Sequence, residues 1–262
     1  HISKEYIKKI MIIYPEKKET QQKIVSILEK AEQLKELRKQ ADELTDTFLK
    51  AVFYEMFGNR KKFEEVELGK IAPLQGGFAF KSSDYKKEGI RLIKINNVLK
   101  DTLNWEDITY LPKFYLEKYS EFSLFENDIV LSMTRPIIKS LDSVKIAKVR
   151  NNDLPCLLNQ RVGRFKINKK LINSFYLLFY CYTDTFKKEI EKLCSTSLQP
   201  NVSSFQVNEI KIPLPPLHLQ QKFASIVNEV ESIKEKQKQS KENIDSLFNS
   251  LMQKAFRGEL IA

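Results

Sequence analysis

Apolar residues recur every three to four positions over two long stretches, Thr20–Phe57 and Leu217–Phe256, and neither stretch contains an internal glycine or proline. That spacing lays a continuous stripe along a helix. At 1.5 Å per residue each helix is about 55–60 Å long, a strut rather than a core helix. With Ile24 as heptad position a, the first stretch places Ile24, Ala31, Arg38, Thr45 and Val52 at a, and Ile27, Leu34, Ala41, Phe48 and Glu55 at d. The second keeps the phase, with Phe223, Val230, Gln237, Ile244 and Leu251 at a, and Ile226, Ile233, Ser240, Leu247 and Lys254 at d. Apolar ends with a polar middle, Arg38 against Gln237, describe a coiled-coil seam carrying a register device or cavity at its centre. One helix leads into the central part of the chain and the other leaves it, so pairing of the two stripes is expected to be antiparallel.

The two ends also repeat each other. Ile2-Ser3 aligns with Val202-Ser203, Ile10 with Ile210, Ile12 with Ile212 and Pro15 with Pro215; one residue is then lost, and Gln21-Gln22-Lys23 aligns with Gln220-Gln221-Lys222. Each copy reads as a short strand, a proline turn and a long helix. Because the first copy opens on a segment whose equivalent closes the central block, residues 1–14 look like the tail of a preceding, absent block. The chain is therefore expected to be a fragment, or a half-length form that completes itself by dimerising.

Between the helices the pattern shortens. Strands are predicted at Glu64–Ile71, Ile90–Ile95, Asp128–Met133, Val144–Val149 and Val162–Ile167, with a turn at Gly76-Gly77 and one helix near Leu171–Leu193. The fold class is α+β: one globular domain, residues 60–205, with a largely antiparallel curved sheet, flanked by residues 1–59 and 206–262, whose long helices form the antiparallel coiled coil.

Charge changes the picture of the central block. Of the formal net charge of +10, nearly all belongs to this block, and residues 129–183 hold ten Lys and Arg against only Asp142 and Asp153. An acid-poor window of that length fits a face for a polyanion. No apolar run approaches the ~20 residues of a membrane span, and the start is no signal or transit peptide, so a cytoplasmic protein is expected. The three cysteines, Cys156, Cys181 and Cys194, are too scattered for a disulfide framework or a metal site and read as plain thiols.

Several chemistries are missing from the sequence. It has no GxxxxGK[ST] or GxGxxG phosphate loop, no HExxH, no GxSxG and no Asp/Asn-Pro-Pro-aromatic signature. Its two histidines are His1 and His218, the latter read as a surface turn residue. A metal nuclease would have to be built from Asp128, Asp142 and Lys145. What recurs beside the strands instead are clusters of polar and basic residues: Lys81-Ser82-Ser83, Lys94-Ile95-Asn96-Asn97, Ser132-Met133-Thr134-Arg135-Pro136, Asn159-Gln160-Arg161 and Gln199-Pro200-Asn201. Arginine pairs with guanine, and asparagine or glutamine with adenine, in a major groove. Gly76-Gly77 fits a hairpin turn or a close backbone approach to phosphate, and Trp105, Phe78, Phe80, Tyr85, Phe114, Tyr115 and Tyr119 fit core better than base stacking.

These features together resemble the specificity subunits of type I restriction-modification systems. The resemblance spans nearly the whole chain and rests on the strand-Pro-Gln-Gln-Lys helix starts, Phe80 to Tyr85, Gly89 to Asn97, Asn127 to Ser132, Asn159-Gln160-Arg161, Ser197 to Asn201 and Ala255 to Leu260. It implies a noncatalytic target recognition domain that reads half of a bipartite double-stranded DNA site, with helices that set spacing and dock methyltransferase subunits and, through them, restriction subunits. S-adenosylmethionine, ATP and Mg are then expected on those partners and no cofactor on this chain. A full subunit has two recognition domains and this chain has one, which leaves a homodimer open. The rival from another class is a coiled-coil scaffold with nonspecific nucleic-acid binding.

The DNA-facing candidates are Lys81, Ser82, Lys94, Asn96, Asn97, Ser132, Thr134, Arg135, Lys139, Lys145, Lys148, Arg150, Asn159, Gln160, Arg161, Gln199 and Asn201. Arg135 and Asn159-Gln160-Arg161 are expected to read bases, and Lys139, Lys145, Lys148 and Arg150 to hold phosphates. Gln21, Gln22, Lys23, Gln220, Gln221 and Lys222 are the candidates for partner binding, two equivalent surfaces expected to bind two partners alike.

Overall fold

A computed structural model describes residues 15–139, 143–194 and 199–260. The strand expected before Pro15 falls on residues outside that set, as does Asp142. The helices are α1 (Lys18–Phe57), α2 (Leu68–Ile71), α3 (Tyr115–Lys118), α4 (Ser174–Cys181), α5 (Asp184–Leu193), α6 (Ser204–Asn208) and α7 (Leu217–Arg257). The strands are β1 (Glu65–Glu67), β2 (Leu74–Gly76), β3 (Ile90–Ile93), β4 (Thr109–Leu111), β5 (Ile129–Ser132), β6 (Ile137–Ile138), β7 (Ser143–Val144), β8 (Ile146–Lys148), β9 (Cys156–Leu158), β10 (Val162–Phe165) and β11 (Lys211–Pro213). Two compact units are distinguished, one holding the long helices up to Ala51 and from Val227, the other Val52–Ile226, which extends beyond residues 60–205 at both ends.

In the first unit α1 and α7 run antiparallel. Thr45 Oγ1 accepts from Gln237 Nε2 at 3.0 Å, whereas Lys35 pairs with Asp245 at 3.0 Å and lies 4.7 Å from the Phe248 ring centre. Followed forward along α1, the partners therefore run backward along α7. Gln237 meets Thr45 rather than Arg38, which corrects the expected central pair. An antiparallel register brings Arg38 level with Ile244, and the two line a cleft of about 430 Å³ with Phe248. Arg38 Nε has no hydrogen-bond partner among the described residues, and its guanidinium lies 3.3 Å from Asp42 on the same helix.

The seam is narrower than the heptads predict. Ala31 and Val230, both at a, are buried, but the d residues Leu34, Phe48, Ile233 and Leu247 are 46–50% exposed. Two helices alone cannot enclose both positions. Leu34→Asp and Ile233→Asp are accordingly expected to cost only about 1 kcal/mol each, the range of surface changes, while Val230→Asp costs at least about 3 kcal/mol by burying an unpaired charge. Thermal melts of the three variants check the order.

The second unit holds the strands. Its main sheet, β2-β10-β5-β8, is antiparallel throughout; a second, β4-β3-β9, pairs β3 with β9 in parallel; and β1-β11 and β6-β7 are two-stranded ribbons. Ile93, Val98, Leu124, Val130, Ala147, Cys156, Leu158 and Val162 form one core cluster between the two larger sheets, and Phe80, Ile90, Leu92, Leu111, Tyr115 and Leu157 form another. Burial pushes the Cys156 thiol up to about 12, leaving it an inert packing group, and Cys181 is buried likewise. Within this unit the bases of the long helices contribute Phe53, Phe57 and Phe223, which pack on Tyr176 and Phe179 with ring centres 5.0–6.0 Å apart.

Three expectations need correcting here. Glu64–Ile71 is strand only over β1; it then turns into α2, whose Gly69 packs so closely on Asn208 that a Cβ would sit 3.0 Å from that side chain. The helix near Leu171–Leu193 is two helices, since Thr183 ends α4 and caps α5, donating to Tyr180 O and accepting from Phe186 N. Gly76-Gly77 is no hairpin tip. Gly76 lies in β2, and a Cβ on Gly77 would fall 2.2 Å from Asn159 O and 2.5 Å from Leu158 O, so this close approach is to the chain's own backbone. Gly77→Ala must push β9 away and is expected to cost about 2–3 kcal/mol, as strained or overpacked sites do, which a denaturation curve measures.

Candidate nucleic-acid interface

The sheet register gathers most of the polar clusters at one end of the second unit. Val162 pairs with Ser132 and Gly163 with Gly76, so β5 and β2 finish at the edge where the antiparallel β10 begins. Leu131 pairs with Ile146, which brings Lys145 there too. The parallel pair β3 and β9 ends at Ile93 opposite Leu158, and Asn159 N donates to Ile93 O, which delivers Lys94–Asn97 and Asn159–Arg161 side by side. Pro200 and Asn201 complete the edge: Arg135 N donates to Pro200 O at 2.7 Å, and Thr134 bridges Asn201.

Two arginines at this edge hold an unusual backbone. Arg135 has φ 47° and Arg161 φ 65°, and both side chains are exposed. The left-handed region costs a side-chain-bearing residue about 1–2 kcal/mol. Both are pinned by neighbours, Arg135 by Pro200 and Arg161 through its carbonyl, which accepts from Met133 N at 2.8 Å. Strain held in place by several contacts clusters where a side chain must be aimed. Lys145 lies half-buried beside them; burial and then the Arg135 charge lower its pKa below the usual lysine value. With Lys139 on the β6-β7 side, in a cleft that Glu191 also lines, the edge carries Arg135, Lys145 and Arg161 and, in Gln160 and Asn201, exposed amide groups.

Not every candidate reaches it. Asn97 is 1% exposed, its Oδ1 accepting from Lys94 N and its Nδ2 donating to Asn104 O and Asp107 O, so it shapes the loop that presents Asn96. Ser132 is buried, donating to Thr134 O, and Thr134 is itself buried. The side-chain carbonyl of Asn159 points inward, without a hydrogen-bond partner among the described residues. Lys148 and Arg150 lie toward the opposite end of β8, about 10 Å and more from Lys145 at the rise of a strand; Lys148 covers the Phe175 ring and Arg150 donates to Asp101 O. Lys81, Ser82 and Gln199 are exposed, and Gln160 N donates to Phe78 O in the loop that leads to Lys81.

Of the partner candidates, Gln220 is wholly buried. It donates to Pro215 O, accepts from Asn173 N and contacts Leu171 O, anchoring the start of α7 rather than a surface. Gln21 makes the equivalent bond to Pro15 O at 2.7 Å, so the repeated glutamine has a local structural role in both copies. Gln22, Lys23, Gln221 and Lys222 remain exposed.

The nuclease constellation does not assemble. Asp128 accepts from Phe125 N and from the buried Arg164, at the far end of β5 from Lys145. Among the described residues no group of three His, Cys, Asp or Glu is placed to hold a metal, and no helix is long and apolar enough to cross a membrane.

The edge can present guanidinium and amide groups to a polyanion with a patterned surface, and residues 60–245 match the family described as type I restriction modification DNA specificity domain. The chain belongs to this family. This specificity-domain chain is 33% identical over 198 residues to the type I restriction enzyme MjaVIII specificity subunit of Methanocaldococcus jannaschii, covering 76% of itself and 46% of that protein. It is 32% identical over 168 residues to the EcoAI specificity subunit of Escherichia coli, covering 64% of itself and 28% of that protein. Thus the chain spans less than half the length of either relative. Its fold is similar to the HsdS subunit from Thermoanaerobacter tengcongensis, with a TM-score of 0.55 at 18% identity over 91% of this chain and 57% of that one. A chain from a study of assembly and conformational transition of the type I R-M system gives 0.59 at 19%, over 92% and 59%.

Proposed function

We propose that the chain is the sequence-reading part of a type I restriction-modification assembly, binding half of a bipartite site in double-stranded DNA through the edge built by Lys94–Asn96, Met133–Arg135, Lys145, Gln160-Arg161 and Asn201. The observation that carries this reading is the pair of arginines, Arg135 and Arg161, both exposed and both held in left-handed backbone at one end of the main sheet. A nonspecific cationic surface does not need its side chains aimed; base recognition does, because a bidentate contact to guanine fixes both distance and direction. Lys139 and Lys145 hold phosphates in this reading, whereas Lys94 is paired with Asp107 at 3.3 Å, and Lys148 and Arg150, at the other end of β8, do not reach the edge.

Catalysis belongs to partners: methyltransferase subunits carrying S-adenosylmethionine, and restriction subunits with ATP and Mg, working with this chain in the cytoplasm. The half-exposed apolar row Leu34, Leu37, Leu44, Phe48, Ile233 and Leu247 is the surface on which methyltransferase helices pack, in place of the glutamine motif. A second copy of the chain is one way to supply the other half-site.

Selection of bound duplexes from a random pool, followed by competition, tests the proposal. One enriched half-site, competed by itself and not by a scrambled duplex, is expected; a scaffold that binds nucleic acid without reading it leaves the pool unenriched. Native mass spectrometry of the assembly with methyltransferase subunits is expected to show two of them per complete pair of helical regions.

A further inference from the structure

Among the exposed aromatic residues, Phe205 stands apart. It is 70% exposed and lies on α6, one turn beyond Asn201-Val202, where the chain leaves the reading edge through the Val202 N–H donated to Met133 O. The turn is rigidly held. Ser203 Oγ accepts from Gln206 N at 3.2 Å while Gln206 Oε1 accepts from Ser203 N at 2.9 Å, a reciprocal cap that satisfies both free donors. On either side Val202 and Val207 are buried, and Asn208 Oδ1 accepts from Leu74 N at 2.7 Å, tying the helix to β2. The other exposed phenylalanines of this unit are placed differently: Phe78, at the edge itself, is only 36% exposed and packs on Phe80, Tyr119 and Phe122 with centres 4.7–5.5 Å apart, Phe114 packs edge-on to Tyr115 with centres 4.8 Å apart, and Phe125 stands next to Asp128 at the opposite end of β5.

An exposed ring on a preorganised turn, four residues past Asn201, offers what the proposed base-reading groups Arg135, Gln160 and Arg161 lack: an apolar contact. In the major groove the four bases present a single apolar group, the C5 methyl of thymine. We infer that Phe205 is a specificity-determining residue that reads a thymine methyl in the half-site bound by the Arg135–Arg161 edge. The inference rests on the proposed DNA-reading function and adds to it the base, the groove and the residue.

The test uses the full chain and the half-site it selects, with each thymine replaced in turn by uracil, which deletes the methyl and keeps the O4 acceptor. Wild type is expected to lose about fourfold in affinity at one position, the worth of one buried methyl. Phe205→Ala is expected to bind thymine and uracil duplexes alike at that position, to within about twofold, with an unchanged melting temperature because the ring packs on little. Uracil substitution that is silent throughout in wild type, Phe205→Ala retaining the discrimination, or a selected half-site lacking any T·A pair would each overturn the role of Phe205. If wild type selects no sequence, the DNA-reading function itself falls and this inference with it; selection with silent uracil removes Phe205 alone.

Discussion

Arg161→Gly and Arg135→Gly are each expected to cut discrimination between the cognate and a scrambled half-site by about 5- to 150-fold while leaving the melting temperature unchanged or slightly raised. Both residues hold positive φ, at 65° and 47°. Glycine removes a left-handed penalty of about 1–2 kcal/mol and adds back about 0.5–1 kcal/mol of chain entropy, so the fold does not suffer. Recognition does, since losing a bidentate base contact costs about 1–3 kcal/mol on the cognate duplex and almost nothing on a scrambled one. By contrast Lys145→Ala is expected to weaken binding to all duplexes and to flatten the salt slope by about one. Titrations of the three variants on both duplexes, with thermal melts alongside, separate the roles. A drop in melting temperature for both glycine variants, with discrimination intact, would make the two arginines structural.

Arg164→Met carries the largest expected loss of stability. Arg164 is 3% exposed at the centre of the main sheet, donating to Ser123 O at 2.6 Å, Gln75 Oε1 at 2.7 Å, Glu121 O at 2.9 Å and Asp128 Oδ2 at 3.2 Å. It thereby ties β10 to the end of β2 and to the turn before β5. Methionine fills most of the volume but leaves the Ser123 and Glu121 carbonyls and the Gln75 amide oxygen without this donor and the Asp128 carboxylate without its cation. Removing one member of a buried ion pair costs about 3–5 kcal/mol, which lowers the melting temperature of a unit this size by about 10 °C or more. A shift of only 1–2 °C would mean that water replaces the guanidinium without penalty. The distinction matters for interpretation: Arg164 sits within the same acid-poor window as Arg161, and a binding loss in an Arg164 variant reports unfolding, not recognition.

Much of this organisation is legible in the sequence because it depends on periodicity. The heptads at Ile24–Val52 and Phe223–Leu251 announce two helices and their antiparallel sense, and the Thr45–Gln237 contact fits that sense. Periodicity says less about how many helices share a stripe. Leu34 and Ile233 satisfy the heptad, yet two helices leave them half-exposed for a third body to cover. Turn chemistry was harder to read: Gly76-Gly77 has the composition of a hairpin, but the neighbour that demands glycine is Asn159, far away in sequence.

The site shows the same division. Clusters beside strand ends identify the loops, since polar runs after apolar ones mark where a strand leaves the core. Which end of the sheet each loop occupies follows from register, which one sequence does not show. Lys148 and Arg150 share the charge window with Lys145, but alternation and distance along β8 send them elsewhere. Asn97 and Asn159 have the side chains of base readers and turn them inward. The left-handed φ of Arg135 and Arg161 has no sequence signature, and at Arg135 the following Pro136 argues for an extended backbone instead. Phe205 has no signature either, since nothing in Ser203-Ser204-Phe205-Gln206 says whether the ring is covered.

The central claim, that this edge reads sequence rather than charge, is tested most directly by the affinity ratio between cognate and scrambled half-sites measured across a salt series. Counterion release weakens both complexes in parallel, while base contacts release none. A ratio of about 10³ or more that persists from low to physiological salt, with both affinities falling together, is expected. A ratio near one at every salt concentration would contradict it and leave the chain a cationic scaffold.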